Sequence, residues 1–382
     1  MTRNRDIAQI LGKTEAENTT NASLGDGSGG SGSGVIAYSH DSSGGLLSES
    51  TTGHTDGSLH WLGALNELYV WDSAATKYYL VENTKTIGLG EVPPTQAQGS
   101  TYGFASGGAS PSSRPSGNFN NISRFAFVNE TSASDHGDLT VSRDIPGGNS
   151  SSTHGYSIGG FLRPAFSATN VIDKFAMASS ANATDVGDDT VTGYYAMGSP
   201  SPSHGYHAGG FPSPSYTAVR RYSFSSDENA SSVGTLSNNT IPRGSYTSTT
   251  HGFQVGHGSA NAVKYPFAAS GVSSVTVGTL DTGAGQAVSA ADAGYYSQTY
   301  NNMDIIKTPF ATDVSSTVNT FTSSTSNWYS EGSTSSSQTD GYWQGHNSSN
   351  SIYKFNFASN GSVTDVADLA NAHGQNSAGH QV

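Results

Sequence analysis

Three histidines occupy one place in a recurring phrase: His154, His204 and His251 open HGYSIGG, HGYHAGG and HGFQVGH, and His380 stands near the end of the chain. Imidazoles bind transition metals and move protons near neutral pH. Repeated once per unit, however, these rings are spread through space rather than converged on one ion. His207 and His257 lie close to His204 and His251 in sequence, yet no carboxylate sits at ligand spacing beside these four. The expected role is a hydrogen bond to the backbone of a neighbouring unit. A second column is basic: Arg124, Lys174, Arg221, Lys264, Lys307 and Lys354. Six cations in register offer a grip on an anionic glycan. The simpler expectation is that each lays its stem on the protein and pairs with an acid of the same or next unit, such as Asp135, Asp185 or Asp365.

Acidic phrases such as DHGD at 135 and DVGDD at 185 suit Ca²⁺ by residue type. No twelve-residue calcium loop or glycine-rich nonapeptide frames them, so they read as solvated turns. No nucleophile elbow, zinc helix or phosphate-cradling loop occurs, and the chain is expected to be no enzyme and to need no cofactor or metal. Flat rings in or beside turns remain as candidate contacts for a sugar or a protein: Phe161, Phe211, Tyr216, Tyr300, Trp328 and Trp343.

These residues must be held by the repeat itself. Its leading glycines, Gly103, Gly155, Gly205, Gly252, Gly294 and Gly341, are separated by 52, 50, 47, 42 and 47 residues. Each glycine-led phrase is followed by a second one carrying the basic column (ISRFAF, VIDKFAM, AVRRYSF, AVKYPF, IIKTPF, SIYKFNF) and by a short apolar third. A serine-rich run such as PGGNSSST precedes most copies. Four strand-like phrases per unit, at a period of roughly 40 to 50 residues, predict the blade of a β-propeller, and six units predict six blades. The C-terminal NSAGHQV resembles the start of a further unit, with Gly379-His380 set against His154-Gly155. Such an overhang predicts that the last strand completes the first blade and removes an open edge. The fold class is therefore all-β, with the propeller over 99–382.

Composition agrees. Only 12% of residues are charged and 34% are apolar, which suits turn-rich β structure with a thin core of Tyr, Phe, Ala and Gly. A net charge of -13 and no basic block beyond Arg3 and Arg5 argue against nucleic acid. Without cysteine there are no disulfides or thiolate sites. No apolar run reaches a signal-peptide core or the ~20 residues of a membrane span, so the expected product is soluble, with no membrane insertion, and made in the cytoplasm.

Ahead of the repeats lie three further segments. Residues 1–20 include Ile7, Ile10 and Leu11 at helical spacing, enough for a turn or two that would order only on a partner. Residues 21–58, with DGSGGSGSG at 26–34, read as a flexible linker. Residues 59–98 contain LYVW and KYYLV around a loop at 72–76, a β-hairpin.

The double glycine ending an apolar strand, followed by apolar-x-Lys/Arg-aromatic-x-aromatic and a closing apolar phrase, resembles the kelch repeat. This chain lacks the regular Trp of the fourth kelch strand and keeps the double glycine in three units, which makes it a degenerate, kelch-like propeller. Copper oxidases occur among kelch-like propellers, but their Cys–Tyr cross-link has no counterpart here. TRNRDIAQILG at the N-terminus and ELYVWDSAATKYYLVEN resemble short modules of tail and fibre proteins of tailed bacteriophages, especially those of marine cyanobacteria. The resemblance implies a virion protein of the tail, formed in the host cytoplasm. Arg3, Arg5, Ile7, Ile10 and Leu11 would dock onto other tail or virion proteins, and the propeller would meet a host-surface glycan or protein. It implies a homo-oligomer in the virion, although no heptads mark one. A fixed nozzle or decoration subunit without host contact and a glycan-degrading propeller are the alternatives.

Overall fold

A computed structural model describes residues 98–109, 117–212, 217–237, 241–257, 262–278, 284–298, 304–320, 333–346, 349–370 and 377–382, together with backbone strands between residues 36 and 80. The chain forms two compact units, Met1–Pro93 and Pro94–Val382. The larger is a six-bladed β-propeller with no helix among the described residues.

Each blade is an antiparallel sheet, and in blades 2 to 6 the strands run outward in sequence order from the central axis. Blade 2, for example, runs Gly147–Ser150, His154–Ile158, Val171–Ala176 and Thr184–Asp188. Blades 3 to 6 begin with innermost strands Met197–Pro200, Ile241–Thr247, Ala284–Ser289 and Ser333–Ser336. The serine-rich phrases are thus the inner strands, where small side chains are needed. On one face of the propeller lie the turns between first and second strands and the loops between third and fourth. On the other lie the loops between second and third strands and the inter-blade connections.

The repeated glycine has a steric cause. In the pairing register Gly103, Gly155, Gly205 and Gly252 stand opposite Phe125, Phe175, Tyr222 and Tyr265. A Cβ at any of the four would overlap that facing ring. The glycine is a seat for an aromatic side chain of the third strand. In blade 5 the facing residue is Thr308, and the ring over Gly294 comes instead from Tyr246 of blade 4. Among the described residues the core accordingly lies between blades, in six clusters, one per interface. Phe104, Ile122 and Leu139 of blade 1 pack on Phe175, Met177 and Ala183 of blade 2. Ala105, Phe125 and Phe127 of blade 1 pack on Tyr342, Ile352 and Leu369 of blade 6 and so complete the circle.

Closure is by the C-terminus, as the overhang predicts. Ala378–Gln381 pairs antiparallel with Tyr102–Ser106, and blade 1 is completed by Asn121–Ala126 and Ser134–Asp138. The register is different from the sequence alignment. Ala378–Gln381 is the innermost strand of its blade, so His380 is the counterpart of Asn149 and not of His154. His380 is fully buried. Its Nδ1 lies 3.0 Å from the Asn149 carbonyl oxygen of blade 2 and its Nε2 lies 2.9 Å from Ser106 Oγ. Nδ1–H therefore donates to the carbonyl and Nε2 accepts from the hydroxyl, which is the neutral ring.

Burial lowers the His380 pKa from 6.5 to about 4, against the opposing hydrogen bond to Asn149. The unfolded chain therefore binds more protons between these pH values, and the stabilising share is full above 6.5 and lost as pH falls through 4. Its size is on the order of 3 kcal/mol. In urea titrations at pH 7, 5 and 4, His380→Gln is expected to flatten the fall in midpoint seen for the native chain; an unchanged slope would count against this.

In the smaller unit, Ile36–Tyr38, Leu59–Leu62, Glu67–Asp72 and Lys77–Leu80 form a sheet in that order. The hairpin pairs Asp72 with Lys77, so Asp72 belongs to the strand and the loop is one residue shorter than read from sequence. Ile36–Tyr38 comes from within the segment read as linker and pairs in parallel with Leu59–Leu62. Arg3, Arg5, Ile7, Ile10 and Leu11 lie outside the described residues.

Candidate functional site: an aromatic and arginine-bearing face

The connections at the blade 2 and blade 3 side of one face gather rings. After the double glycine Gly159-Gly160, Phe161–Leu162 pairs with Ser167–Ala168 as a small hairpin whose tip carries Phe166. Phe166 is 62% exposed, with φ of 51°. The inter-blade connections lie alongside. Asp144 and Phe161 exchange backbone hydrogen bonds (2.9 and 2.6 Å), and Tyr194 and Phe211 do the same one blade on (3.0 and 2.8 Å).

Tyr194 is the centre of the cluster, with ring centroids 5.0 Å from Phe161, 5.2 Å from Phe211 and 5.5 Å from Tyr195. Phe161 meets Phe166 edge-on at 6.2 Å. Two guanidinium groups lie over rings: Arg163 at 4.9 Å from the Phe161 centroid and Arg243 at 4.3 Å from that of Tyr195. Arg163 also pairs with Asp144 at 3.3 Å. Aromatic faces beside charged donors form a surface able to stack a flat apolar ring face and hydrogen-bond its rim.

Buried ion pairs hold these connections. Arg143, just before Asp144, is fully buried and pairs with Asp173 of the blade 2 third strand. Its Nη1 donates to the carbonyls of Gly159 and Val171, both at 3.0 Å, at the root of the Phe161 hairpin. Thr140 completes Asp173 through its backbone N–H (3.0 Å) and hydroxyl (2.6 Å). In blade 3 the strand carries the arginine and the connection the carboxylate. Arg220 occupies the strand position of Asp173, and its carboxylate partner Asp189 comes from the inter-blade connection at 3.1 Å. His207 Nε2 lies 2.8 Å from the same Asp189 oxygen. Burial pushes His207 below its ordinary pKa, so its neutral ring donates Nε2–H to Asp189. Burial alone would raise the Asp189 carboxyl; His207 and Arg220 outweigh it and hold the group below its ordinary value.

The sequence candidates divide. Phe161 and Phe211 are brought to the two sides of Tyr194. Tyr216, Tyr300 and Trp328 lie outside the described residues. Trp343 is no loop residue: it lies within the strand Asp340–His346, buried, edge-on to Phe355 at 6.2 Å. The alternation of the strand turns it into the interface between blades 5 and 6. Tyr194, Tyr195, Phe166, Arg163 and Arg243 were not singled out from sequence. The two tyrosines carried one signal, GYYAMG standing where blade 2 has RDIPGG, and the other three carried none.

The histidine column serves the turn, not a neighbouring blade. Ser151, Ser201 and Ser248 accept the N–H of His154, His204 and His251 at 2.9, 3.0 and 3.0 Å. Each ring Nδ1 then lies 2.8 Å from the hydroxyl of the preceding Thr153, Ser203 or Thr250. In blade 6 Asp340 takes this place and accepts from Thr339 Oγ1 at 2.6 Å. In these four blades the side chain meets the preceding hydroxyl, whereas blades 1 and 5 carry Tyr102 and Ala293 there, and burial keeps the three histidines below their ordinary pKa.

Three members of the basic column pair across blades, with partners other than those expected. Lys174 meets Asp227 (2.8 Å), Lys264 meets Asp313 (2.8 Å) and Lys354 meets Glu130, each on the outer loop of the next blade. Lys307 meets Asp292 of its own blade (3.3 Å), and Arg124 lies over Tyr102. Asp135 and Asp185 instead accept the N–H of Gly137 and Gly187 within their own strands. Among the described residues no three His, Asp or Glu side chains converge as a metal site. Comparison with known proteins returns no matching family model and no curated sequence of significant similarity.

Proposed function

We propose that this is a non-enzymatic virion protein of a tailed bacteriophage, a tail fibre or tail-associated adhesin that displays a degenerate kelch-like propeller for host attachment. The observation that carries the attachment role is the Phe161–Tyr194–Phe211 cluster with Arg163, held on one face by buried ion pairs. Rings held rigid before binding lose little entropy on stacking against a sugar or a protein surface. The N-terminal resemblance to tail proteins supports a division of labour in which residues 1–20 dock onto other virion proteins and the propeller faces outward. The virion assembles in the host cytoplasm, with the protein as a homo-oligomer.

Phe166 gives a direct test, because its ring is exposed and its backbone lies in the left-handed region that favours glycine. Phe166→Gly is expected to keep or raise stability by about 0.5–1 kcal/mol. Binding of the labelled full-length protein to host cells should fall about tenfold. Unchanged binding by this variant and by Phe161→Ala would remove the attachment role from this face. A native protein that binds no host cells would favour a fixed nozzle or decoration subunit, and release of reducing ends from host polysaccharide would favour the enzyme.

A further inference from the structure

The axis of the propeller is nearly filled by backbone. A Cβ on Gly198 would overlap the Gly148 carbonyl, and one on Gly379 would overlap Thr334. Small side chains bridge the remaining gaps, as in Ser245 Oγ to Gly198 O at 2.5 Å and Thr334 Oγ1 to Ala287 O at 2.7 Å. At the mouth on the aromatic face a cavity of about 50 Å³ persists, lined by Arg243, Gln286, Ser333 and Ser377 with small residues around them.

Two of these side chains are placed by irregularities shared by blades 4 and 5 alone. The innermost strand of blade 4 has a β-bulge between Pro242 and Gly244, with Arg243 as the extra residue. That of blade 5 is bulged between Ala284 and Ala287, which takes in Gln286. The inner strands of the other four blades pair without a shift. Bulges of this kind re-aim a side chain at a cost to the ladder, and they concentrate beside binding sites.

These two side chains and Ser377 present donors lacking acceptors. Nε and Nη1 of Arg243, Nε2 of Gln286 and Oγ of Ser377 are buried without a hydrogen bond, and Gln286 and Ser377 are each only 6% exposed. Among the described residues no Asp or Glu lines the cavity and no carboxylate pairs with Arg243. Buried donors of this number call for an acceptor. One guanidinium with neutral amide and hydroxyl donors matches a planar monoanion, whereas a phosphate dianion calls for a second cation. The space admits a carboxylate head but no sugar ring, and Arg243 lies over Tyr195, the edge of the aromatic cluster.

We infer that the channel mouth binds the carboxylate of an acidic sugar, with the sugar ring directed to the aromatic face. The sugar part rests on the glycan-binding reading above; the carboxylate pocket follows from the bulges and donors themselves. Calorimetric titration of the full-length protein with glucuronate, glucose, acetate and inorganic phosphate tests it. Glucuronate is expected to bind, glucose not, and acetate more weakly while displacing glucuronate. Arg243→Gln should weaken glucuronate at least about tenfold, with the melting temperature held.

Equal affinity for glucose, tighter binding of phosphate, or no effect of Arg243→Gln on a folded variant would overturn the inference, and equal affinity for acetate would overturn its sugar part. Should Arg243→Gln not fold, Ser377→Ala takes its place, with at least a threefold loss expected and no loss overturning the inference. Absent glucuronate binding in a protein that still attaches to cells removes this inference alone. Glucuronate binding without cell attachment removes the attachment reading alone.

Discussion

Removal of residues 378–382 is expected to abolish cooperative folding of the propeller. The strand supplies the whole inner edge of blade 1, pairing Ala378 through Gln381 with Ser106 through Gly103. The Val382 carbonyl accepts from Ser100, Thr101 and Tyr102 (2.9, 2.7 and 3.0 Å). It also joins three blades: Ser335 Oγ of blade 6 donates to the His380 carbonyl at 2.8 Å, and Gln381 N–H donates to Ser150 Oγ of blade 2 at 3.1 Å. His380 packs edge-on to Phe175 at 5.1 Å. Without the strand, Phe104 and the edge of Tyr102–Ser106 face solvent, an open template for pairing with another chain. About ten hydrogen bonds at about 1 kcal/mol each, with the packing, amount to the whole stability of an ordinary domain. Circular dichroism melting with light scattering should show a broad, early transition and aggregation; a melting temperature within about 2 °C of the native chain would refute the closure argument.

Asp173→Ala is expected to destabilise the propeller by about 3–5 kcal/mol, since it leaves the Arg143 guanidinium buried without its counter-charge. Thr140 loses two hydrogen bonds in the same step. Arg143→Met with Asp173→Leu removes both charges and should recover most of the loss in urea denaturation, because the desolvation cost of the pair disappears with it. The double variant nevertheless gives up the bonds from Arg143 to Gly159 and Val171 that root the Phe161 hairpin. Restored stability with reduced cell binding is therefore expected. A double variant no more stable than Asp173→Ala would show that the pair is valued for more than charge neutralisation.

Sequence by itself determined the period, the four strands of each blade, the count of six and the fact of closure. These follow from local, repeated pairs: a glycine in one strand requires a ring in the next, and the repeat writes both in every copy, so Gly155 and Phe175 announce the same geometry as Gly205 and Tyr222. Residues acting once escaped it. The identity of the closing strand was legible, but its register was not, because GHQV matches a second strand in letters and a first strand in position; only pairing with Tyr102–Ser106 places His380 inside. Asp173 and Arg220 share a strand position with opposite signs, and their partners Arg143 and Asp189 come from different points of their connections, so no column of like residues marks these pairs. The rings of Phe161, Tyr194 and Phe211 and the bulged Arg243 come from separate connections, and Trp343 was lost to the core by strand alternation. Which non-repeating side chains meet depends on distances across blades, and those are set by the circular packing of the whole ring.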